Sequence, residues 1–413
     1  MRLYFADRRD KGFTVVQTVA LAELRGDTPN AFGHLPIEPK RPDRPLVKDG
    51  PDNDYWDDVE RAVRLAGDHG LYVGLLPTWG KHVTSNWQNG PVDGFFTAEN
   101  AEDYGRFIGS RLKELSHIVW VLGGDRAAPT DASRAIWRAM ARGIAIGVSG
   151  REDYGRVLMT YHTSGPGSTA WFLNNEPWMD FHGLQSGHGR WALNWQLVEH
   201  AYGMKPTLPV IDLESSYPGF RHGRPPTVAT DDDARRAACW ALFAGSAGHT
   251  YGHHSVWQLW SDRVPPKNNP LMHWDEAIGQ PGAGQMQHAR RLLESRPFLT
   301  RIPDDSVIVE SAVKTAVPGA GRHRFVATRD SDGGYAMVYA PCGRRFSVRM
   351  DKIAGPKVTA WWFNPRTGEA TRIGGFDNVG QREFRAPDPG DDLDWVLVLD
   401  DKSRNFPPPG KHP

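Results

Sequence analysis

The sequence predicts an α/β chain built as a (β/α)8 TIM barrel, with the first strand apparently missing, followed by an all-β sandwich. Three observations predict it. Up to about residue 296, apolar β-branched runs alternate with segments of helical spacing, the pattern of parallel βαβ units. From 297 to about 400, short alternating runs are separated by turn signals, with no helical pattern between them. Finally, two apolar runs end in carboxylates: His117-Ile-Val-Trp-Val-Leu-Gly-Gly-Asp125 and Leu208-Pro-Val-Ile-Asp-Leu-Glu214. Strand-terminal side chains of that kind line the C-terminal rim of a barrel.

Taken in order, residues 1–10 read as the end of a helix and Gly12–Leu21 as a strand. A Pro- and Asp-rich loop precedes a helix over 54–68 and the strand Leu71–Trp79. A helix over 98–115 leads into the strand ending at Asp125, whose following helix, over 131–148, takes Asp131 as its cap. Strands at Arg156–Thr163 and Met179–Gln185, a helix over 191–203 and the strand ending at Glu214 come next. A helix over 231–246, a strand at His249–Gln258 and a helix over 282–295 complete the series. The strands number seven, and the one missing is the first, because the chain opens on what should be the helix after it.

The sandwich strands are expected at Val307–Val313, His323–Thr328, Tyr335–Ala340, Phe346–Met350, Val358–Phe363 and Trp395–Leu399. Asp330-Ser-Asp-Gly-Gly334, Asn364-Pro-Arg-Thr-Gly368 and Pro387-Asp-Pro-Gly390 mark turns. The expected domains are a barrel over 1–296, a sandwich over 297–400 and a disordered Pro-rich tail over 401–413.

Composition narrows the function. Basic and acidic residues balance at 49 each, which argues against a nucleic-acid footprint or a polybasic membrane patch. Sixteen Trp are unusual for core building alone; sugar-binding clefts use such rings as apolar platforms, while most of these Trp could instead fill core and inter-domain space. Two cysteines, Cys239 and Cys342, cannot build a disulfide framework or a Cys metal site. The N-terminus lacks the apolar core of a signal peptide. The chain as it stands therefore predicts a cytoplasmic protein, and a start upstream of Met1 would predict a secreted or periplasmic one.

Two rim carboxylates, one protonated and one ionised, are what glycosidic bond cleavage needs. Asp125 and Glu214 fall on the fourth and seventh strands once a first is restored, positions that face each other across a barrel mouth. Each could instead cap a helix or sit in a structural ion pair. Period-two alternation puts Asp212 on the same face as Glu214 but one pleat deeper, which favours Glu214. Other rim candidates are Trp79, His82, His162, His182, Gln185, Tyr217, His254 and Trp257, with Tyr161 and His253 beside them. Each histidine could serve sugar hydroxyls or the core. The run Gly248-His-Thr-Tyr-Gly-His-His254 does not place metal ligands on one strand face, so no metal is expected.

Several segments resemble the apiosidase-type glycoside hydrolases, glycoside hydrolase family 140. They are Asp7-Arg-Arg-Asp-Lys-Gly-Phe-Thr-Val-Val-Gln17, Val119-Trp-Val-Leu-Gly-Gly-Asp125, Trp178-Met-Asp-Phe-His-Gly-Leu-Gln-Ser-Gly-His188 and Pro209-Val-Ile-Asp-Leu-Glu-Ser-Ser-Tyr217. The runs Phe243–Trp257 and Pro281-Gly-Ala-Gly-Gln-Met-Gln-His288 extend the likeness nearly end to end. The resemblance implies a (β/α)8 barrel followed by a sandwich labelled collagen-binding. It also implies a retaining exo-glycosidase with Asp125 as acid/base and Glu214 as nucleophile, releasing apiose from the pectic polysaccharide rhamnogalacturonan II. Two departures stand out. The family's first-strand Asp-Thr-x-Trp motif has no counterpart, and Glu214-Ser-Ser-Tyr-Pro replaces the usual Glu-Pro-x-Tyr-Glu.

The expectation is thus a cofactor-independent glycosidase acting on side chains of plant or microbial polysaccharide. Arabinofuranosidase or galactosidase activity is the near alternative, and a non-catalytic carbohydrate-binding barrel the distant one.

Overall fold

The computed structural model describes residues 1–413 apart from 25, 87–91, 224–225, 264, 311–320, 389 and 412–413. The chain forms two compact units, Met1–Gln185 with Gly203–Pro209, and Ser186–Tyr202 with Val210–Pro413. Among the described residues no helix is long and apolar enough to cross a membrane.

In the first unit the strands Val15–Leu21, Tyr72–Thr78, Ile118–Gly123 and Met159–His162 form one parallel sheet in that order. After Tyr72 the second strand is buried at every position, the continuous apolar run expected where both faces are covered. Val15–Leu21 is the edge of this sheet, and Val15 is 44% exposed. The connecting helices are Tyr55–Asp68, Ala98–Leu112 and Asp131–Ser149, preceded by Arg2–Asp10 at the chain start. Their starts are fixed by capping boxes from Asp54 with Asp57, Thr97 with Asn100, and Thr130 with Ser133. Asp131, expected as the cap, instead takes the first helical position, because the Thr130 hydroxyl accepts from Ser133 N at 3.1 Å.

The helices Ala98–Leu112 and Asp131–Ser149 cross on glycines. A Cβ at Gly105 would stand 2.5 Å from Met140 O, and one at Gly109 2.7 Å from Ile144 O. The strand His182–Gln185 is set beside Met159–His162 by Asp180 N to Met159 O at 3.0 Å and Thr160 Oγ1 to Phe181 O at 2.7 Å. Trp56, Tyr104, Trp120, Trp137 and Tyr161 anchor the core.

In the second unit Val210–Glu214 pairs in parallel with Gly248–His249, placing His249 opposite Asp212. Among the described residues, the helices Asn194–Tyr202, Asp231–Phe243, Trp274–Ala277 and Pro281–Glu294 belong to this unit. The strand expected over 249–258 is only two residues long. Val256 N and Trp257 N both bond His253 O, at 3.0 and 3.2 Å, and these tight turns break the extended chain. His253, His254 and Trp257 therefore lie on a loop rather than a strand.

The sandwich has two antiparallel sheets. One runs Arg301–Pro303, Val326–Asp330, Tyr335–Ala340, Trp395–Asp401, Lys357–Asn364, Glu369–Asp377; the other runs Ile308–Glu310, Arg345–Arg349, Gln381–Arg385. Phe325, Phe346, Trp362, Phe384 and Trp395 are in its core. Of the expected Val307–Val313 run, residues 311–313 lie outside the described ones, and His323 falls in a 3-10 turn ahead of its strand. Glu369–Asp377 and Gln381–Arg385 escaped the sequence pattern because they are polar and largely exposed, and few of their side chains, Phe376 and Phe384 among them, turn toward the core.

The tail is packed rather than disordered as far as Lys411; 412–413 lie outside the described residues. A 3-10 turn at Lys402–Arg404 leads to Phe406, whose ring lies 4.8 Å from the Arg296 guanidinium, and Gly410 N donates to Ser295 Oγ at 3.1 Å. The helices Asp231–Phe243 and Pro281–Glu294 pack Trp240, Phe243, Leu292 and Leu293 against Tyr335, Met337, Tyr339 and Val398. That shared core joins them to the sandwich in one unit.

Candidate active site

In the first unit the candidate residues gather at one turn. Gly123, Gly124 and Asp125 leave the strand Ile118–Gly123 with φ of 82, 119 and 54°, all in the left-handed region. A Cβ at Gly123 would lie 2.7 Å from the Tyr161 ring, and one at Gly124 2.8 Å from the Trp79 ring. Two glycines are needed to thread the chain between those aromatics. The Asp125 that follows is 5% exposed.

Asp125 N donates to His162 Nδ1 at 3.1 Å and Gly124 N to His162 O at 2.9 Å. Since Nδ1 accepts, the neutral His162 ring carries its proton on Nε2. The Trp79 and His162 rings are 5.7 Å apart. Arg126, buried, donates to Asp125 O at 2.7 Å and reaches Asp125 Oδ2 at 3.5 Å, Thr84 O at 3.2 Å and Glu23 Oε1 at 3.3 Å. Asp125, His162 and Trp79 are thus brought together.

His82 and His182 turn elsewhere. His82 donates from Nε2 to Ala22 O at 3.0 Å and packs on Phe95, and burial lowers its pKa. His182 is fully buried, with Nδ1 3.0 Å from Thr169 Oγ1 and Nε2 3.0 Å from Asn174 Oδ1. Gln185 ends its strand 4% exposed, and its Oε1 has no hydrogen-bond partner among the described residues. The indole N–H of Trp79 is likewise buried without one.

In the second unit Glu214 is the last residue of its strand, its side chain 12% exposed. Asp212, one pleat deeper, is fully enclosed and accepts from Ser186 Oγ at 2.7 Å and Asn194 Nδ2 at 3.0 Å. Burial pushes its carboxyl up to about 6, with the Glu214 charge adding a little and the two donors opposing. The outer carboxylate meets His188 instead, whose Nε2 lies 3.2 Å from Glu214 Oε1.

From His188 a row of rings continues: Tyr217 stacked at 4.3 Å, Phe220 at 4.9 Å, then His254 5.0 Å from Phe220 and Trp257 6.3 Å from His254. His254 is fully buried, with Nε2 3.0 Å from Asn268 O and Nδ1 accepting from Trp257 Nε1 at 3.3 Å. It orients Trp257, which is 46% exposed. Sequence reasoning missed His188 and Phe220 as site residues. His188 did stand in the Gln185-Ser-Gly-His188 run, close behind a strand-end Gln, and that was the available signal. Among the described residues no cluster of three or more His, Cys, Asp or Glu could hold a metal ion.

Residues 1–300 match the family described as “apiosidase-like, catalytic domain”, and residues 302–400 match the “putative collagen-binding domain of a collagenase”. A solved structure described as a glycoside hydrolase is 32% identical with a TM-score of 0.87, covering 98% of this chain and 89% of that one. A glycoside hydrolase family 5 structure from Bacteroides vulgatus ATCC 8482 is 28% identical with a TM-score of 0.88, covering 100% of this chain and 87% of that one. No protein of curated function matches the sequence. With a TIM-barrel-type region ahead of a β-rich C-terminal domain, this chain belongs to the apiosidase-like family of glycoside hydrolases.

Proposed function

We propose that the protein is a retaining exo-glycosidase that removes a sugar from side chains of plant or microbial polysaccharide, with apiose on pectic rhamnogalacturonan II the first substrate to test. Glu214 attacks the anomeric carbon while Asp125 protonates the departing oxygen, leaving a glycosyl ester on Glu214. Water, deprotonated by Asp125, then hydrolyses that ester. The observation that carries the reading is the division of labour on one strand: Asp212 is enclosed and committed to Ser186 and Asn194, while Glu214 ends the strand partly exposed.

Trp79, His162, Gln185, Tyr217 and Trp257 are assigned to the substrate. The buried Trp79 N–H and Gln185 Oε1, each without a partner among the described residues, offer a donor and an acceptor for sugar hydroxyls. His82, engaged at Nε2, and His182 and His254, engaged at both ring nitrogens, are committed to protein groups and serve as support.

The test is a panel of aryl glycosides, apioside, arabinofuranoside and galactoside included, with the anomeric configuration of the first product read by NMR. Asp125→Asn and Glu214→Gln should each lower kcat by about 10³-fold or more while the protein stays folded. Inversion of configuration, or a Glu214→Gln enzyme turning over near the parent rate, would sink the assignment.

A further inference from the structure

His188 meets a protein group at each ring nitrogen. Its Nδ1 lies 3.0 Å from Ser215 O, and a carbonyl can only accept, so Nδ1 carries a proton and donates. Its Nε2 lies 3.2 Å from Glu214 Oε1. For that contact to be a hydrogen bond, one more proton must lie between ring and carboxyl. With the nucleophile ionised, that proton sits on Nε2 and is donated to Oε1.

The ring has little freedom to leave. It is stacked on Tyr217 at 4.3 Å with planes 29° apart, and Phe220 closes another side at 4.9 Å. The loop that carries it is tied at four points. Ser186 N donates to Glu214 O at 2.8 Å and Ser186 Oγ to Asp212 Oδ2 at 2.7 Å. Ser216 Oγ donates to Gly189 O at 2.8 Å, and Arg190 Nε to the buried Asp233 at 2.8 Å. Asp233 is itself fixed, accepting from Thr230 N at 2.9 Å as the capping-box residue of Asp231–Phe243. Backbone and side-chain bonds thus hold imidazole and carboxylate to the same strand end.

We propose that His188 is the positioning residue of the nucleophile. It donates from Nε2 to one oxygen of Glu214 and fixes the plane in which the carboxylate meets the anomeric carbon. The proposal rests on the assignment of Glu214 as nucleophile.

The substitutions Asn and Gln separate the two ring nitrogens. Asparagine can reproduce the Nδ1 donor toward Ser215 O, and glutamine the Nε2 donor toward Glu214. With the aryl glycoside turned over fastest in the panel above, His188→Asn should lower kcat by about 10²-fold with KM within about threefold, the cost of a misplaced reacting group. His188→Gln should recover at least about tenfold of that loss, and both variants should melt close to the parent. His188→Phe, which keeps the stack on Tyr217 but neither donor, should match the Asn variant. A Gln variant no better than Asn or Phe overturns the proposal, because stacking or folding would then be what His188 supplies. So does a wild-type kcat in His188→Asn beside an inactive Glu214→Gln, which leaves the nucleophile standing without its positioner. An active Glu214→Gln overturns both, since no nucleophile remains to be positioned.

Discussion

His249 is the register partner of Asp212 across the parallel strands Val210–Glu214 and Gly248–His249, which sets a base and an acid one strand apart beneath the strand end that carries Glu214. Ser215 Oγ lies 3.2 Å from His249 Nε2, and the other ring nitrogen is enclosed. Burial lowers His249 to about 4 and raises Asp212 to about 6, so the same surroundings act on the two with opposite signs.

Opposite signs give a specific pH dependence of stability. Asp212 binds its proton more tightly folded than unfolded, so its contribution is best below the ordinary 3.8 and falls as pH rises to about 6. His249 binds its proton less tightly folded, so its contribution is complete above the ordinary 6.5 and is lost as pH falls toward about 4. Each amounts to about 3 kcal/mol over its full range, and in the window between the two folded values their opposite slopes with pH nearly cancel. Asp212→Asn should therefore make stability rise with pH across that window, and His249→Gln should make it fall. Urea midpoints at about pH 4.5, 5.5 and 6.5 read both slopes. Variants that keep the parent's slope would contradict the argument.

The turn that carries Asp125 predicts which of its substitutions leave the fold intact. Asp125 holds φ at 54°, which Asn adopts readily and Ala does not. Asp125→Asn should melt with the parent, whereas Asp125→Ala should lose about 1 kcal/mol. Gly124→Ala should cost more, because its Cβ would meet the Trp79 ring at 2.8 Å and Gly80 N at 2.9 Å with φ already at 119°. Thermal unfolding of the three decides it, and an Ala variant at position 125 as stable as Asn would remove the strain argument.

Most of this arrangement was legible in the residues where local pattern and burial agree. Alternation alone separated Asp212 from Glu214, and the structure puts the first fully inside and the second partly exposed. The Gly123-Gly124-Asp125 run marked a strand end without saying why, since the reason is two aromatic rings, Tyr161 and Trp79, distant in sequence. The last strand was overread because Tyr251, Val256 and Trp257 look β-forming, while the turns onto His253 O are invisible to composition. The tail was misread for a related reason. Its prolines suggest disorder, but Phe406 finds Arg296 only through the tertiary fold.

The packed tail should matter to stability. Removing residues 402–413 would uncover the Arg296 guanidinium, whose side chain is fully buried, and delete the Gly410 bond to Ser295. Loss of a partly buried Phe and its cation–π contact sets a cost of about 2 kcal/mol, seen as a lower melting temperature. Phe406→Ala alone should reproduce most of it. A truncated protein melting with the parent would show the tail to be a passive cover.

The helix Asp231–Phe243 is tied to the sandwich by the buried pair Arg235–Asp394. Arg235 Nε and Nη2 reach Asp394 at 2.9 and 2.8 Å, and both side chains are nearly sealed from water. Tyr339 Oη donates to the same carboxylate at 3.0 Å, and Gln285 and Asp232 accept from two further guanidinium N–H groups at 2.6 Å each. The Asp394 charge holds the Arg235 pKa above its ordinary value against the cost of burial. Removing one partner strands the other, so Asp394→Leu and Arg235→Met should each cost about 3–5 kcal/mol. Removing both leaves no orphaned charge in the pair, and the double variant should be less destabilised than the sum by about 2 kcal/mol or more. Strict additivity in that cycle would mean that solvent reaches the pair and compensates each charge separately. The helix also presents Asp233 to Arg190 at 2.8 Å, on the loop that bears His188. Asp394→Leu should therefore lower kcat as well as stability, and an unchanged kcat in the folded variant would uncouple the sandwich from that loop.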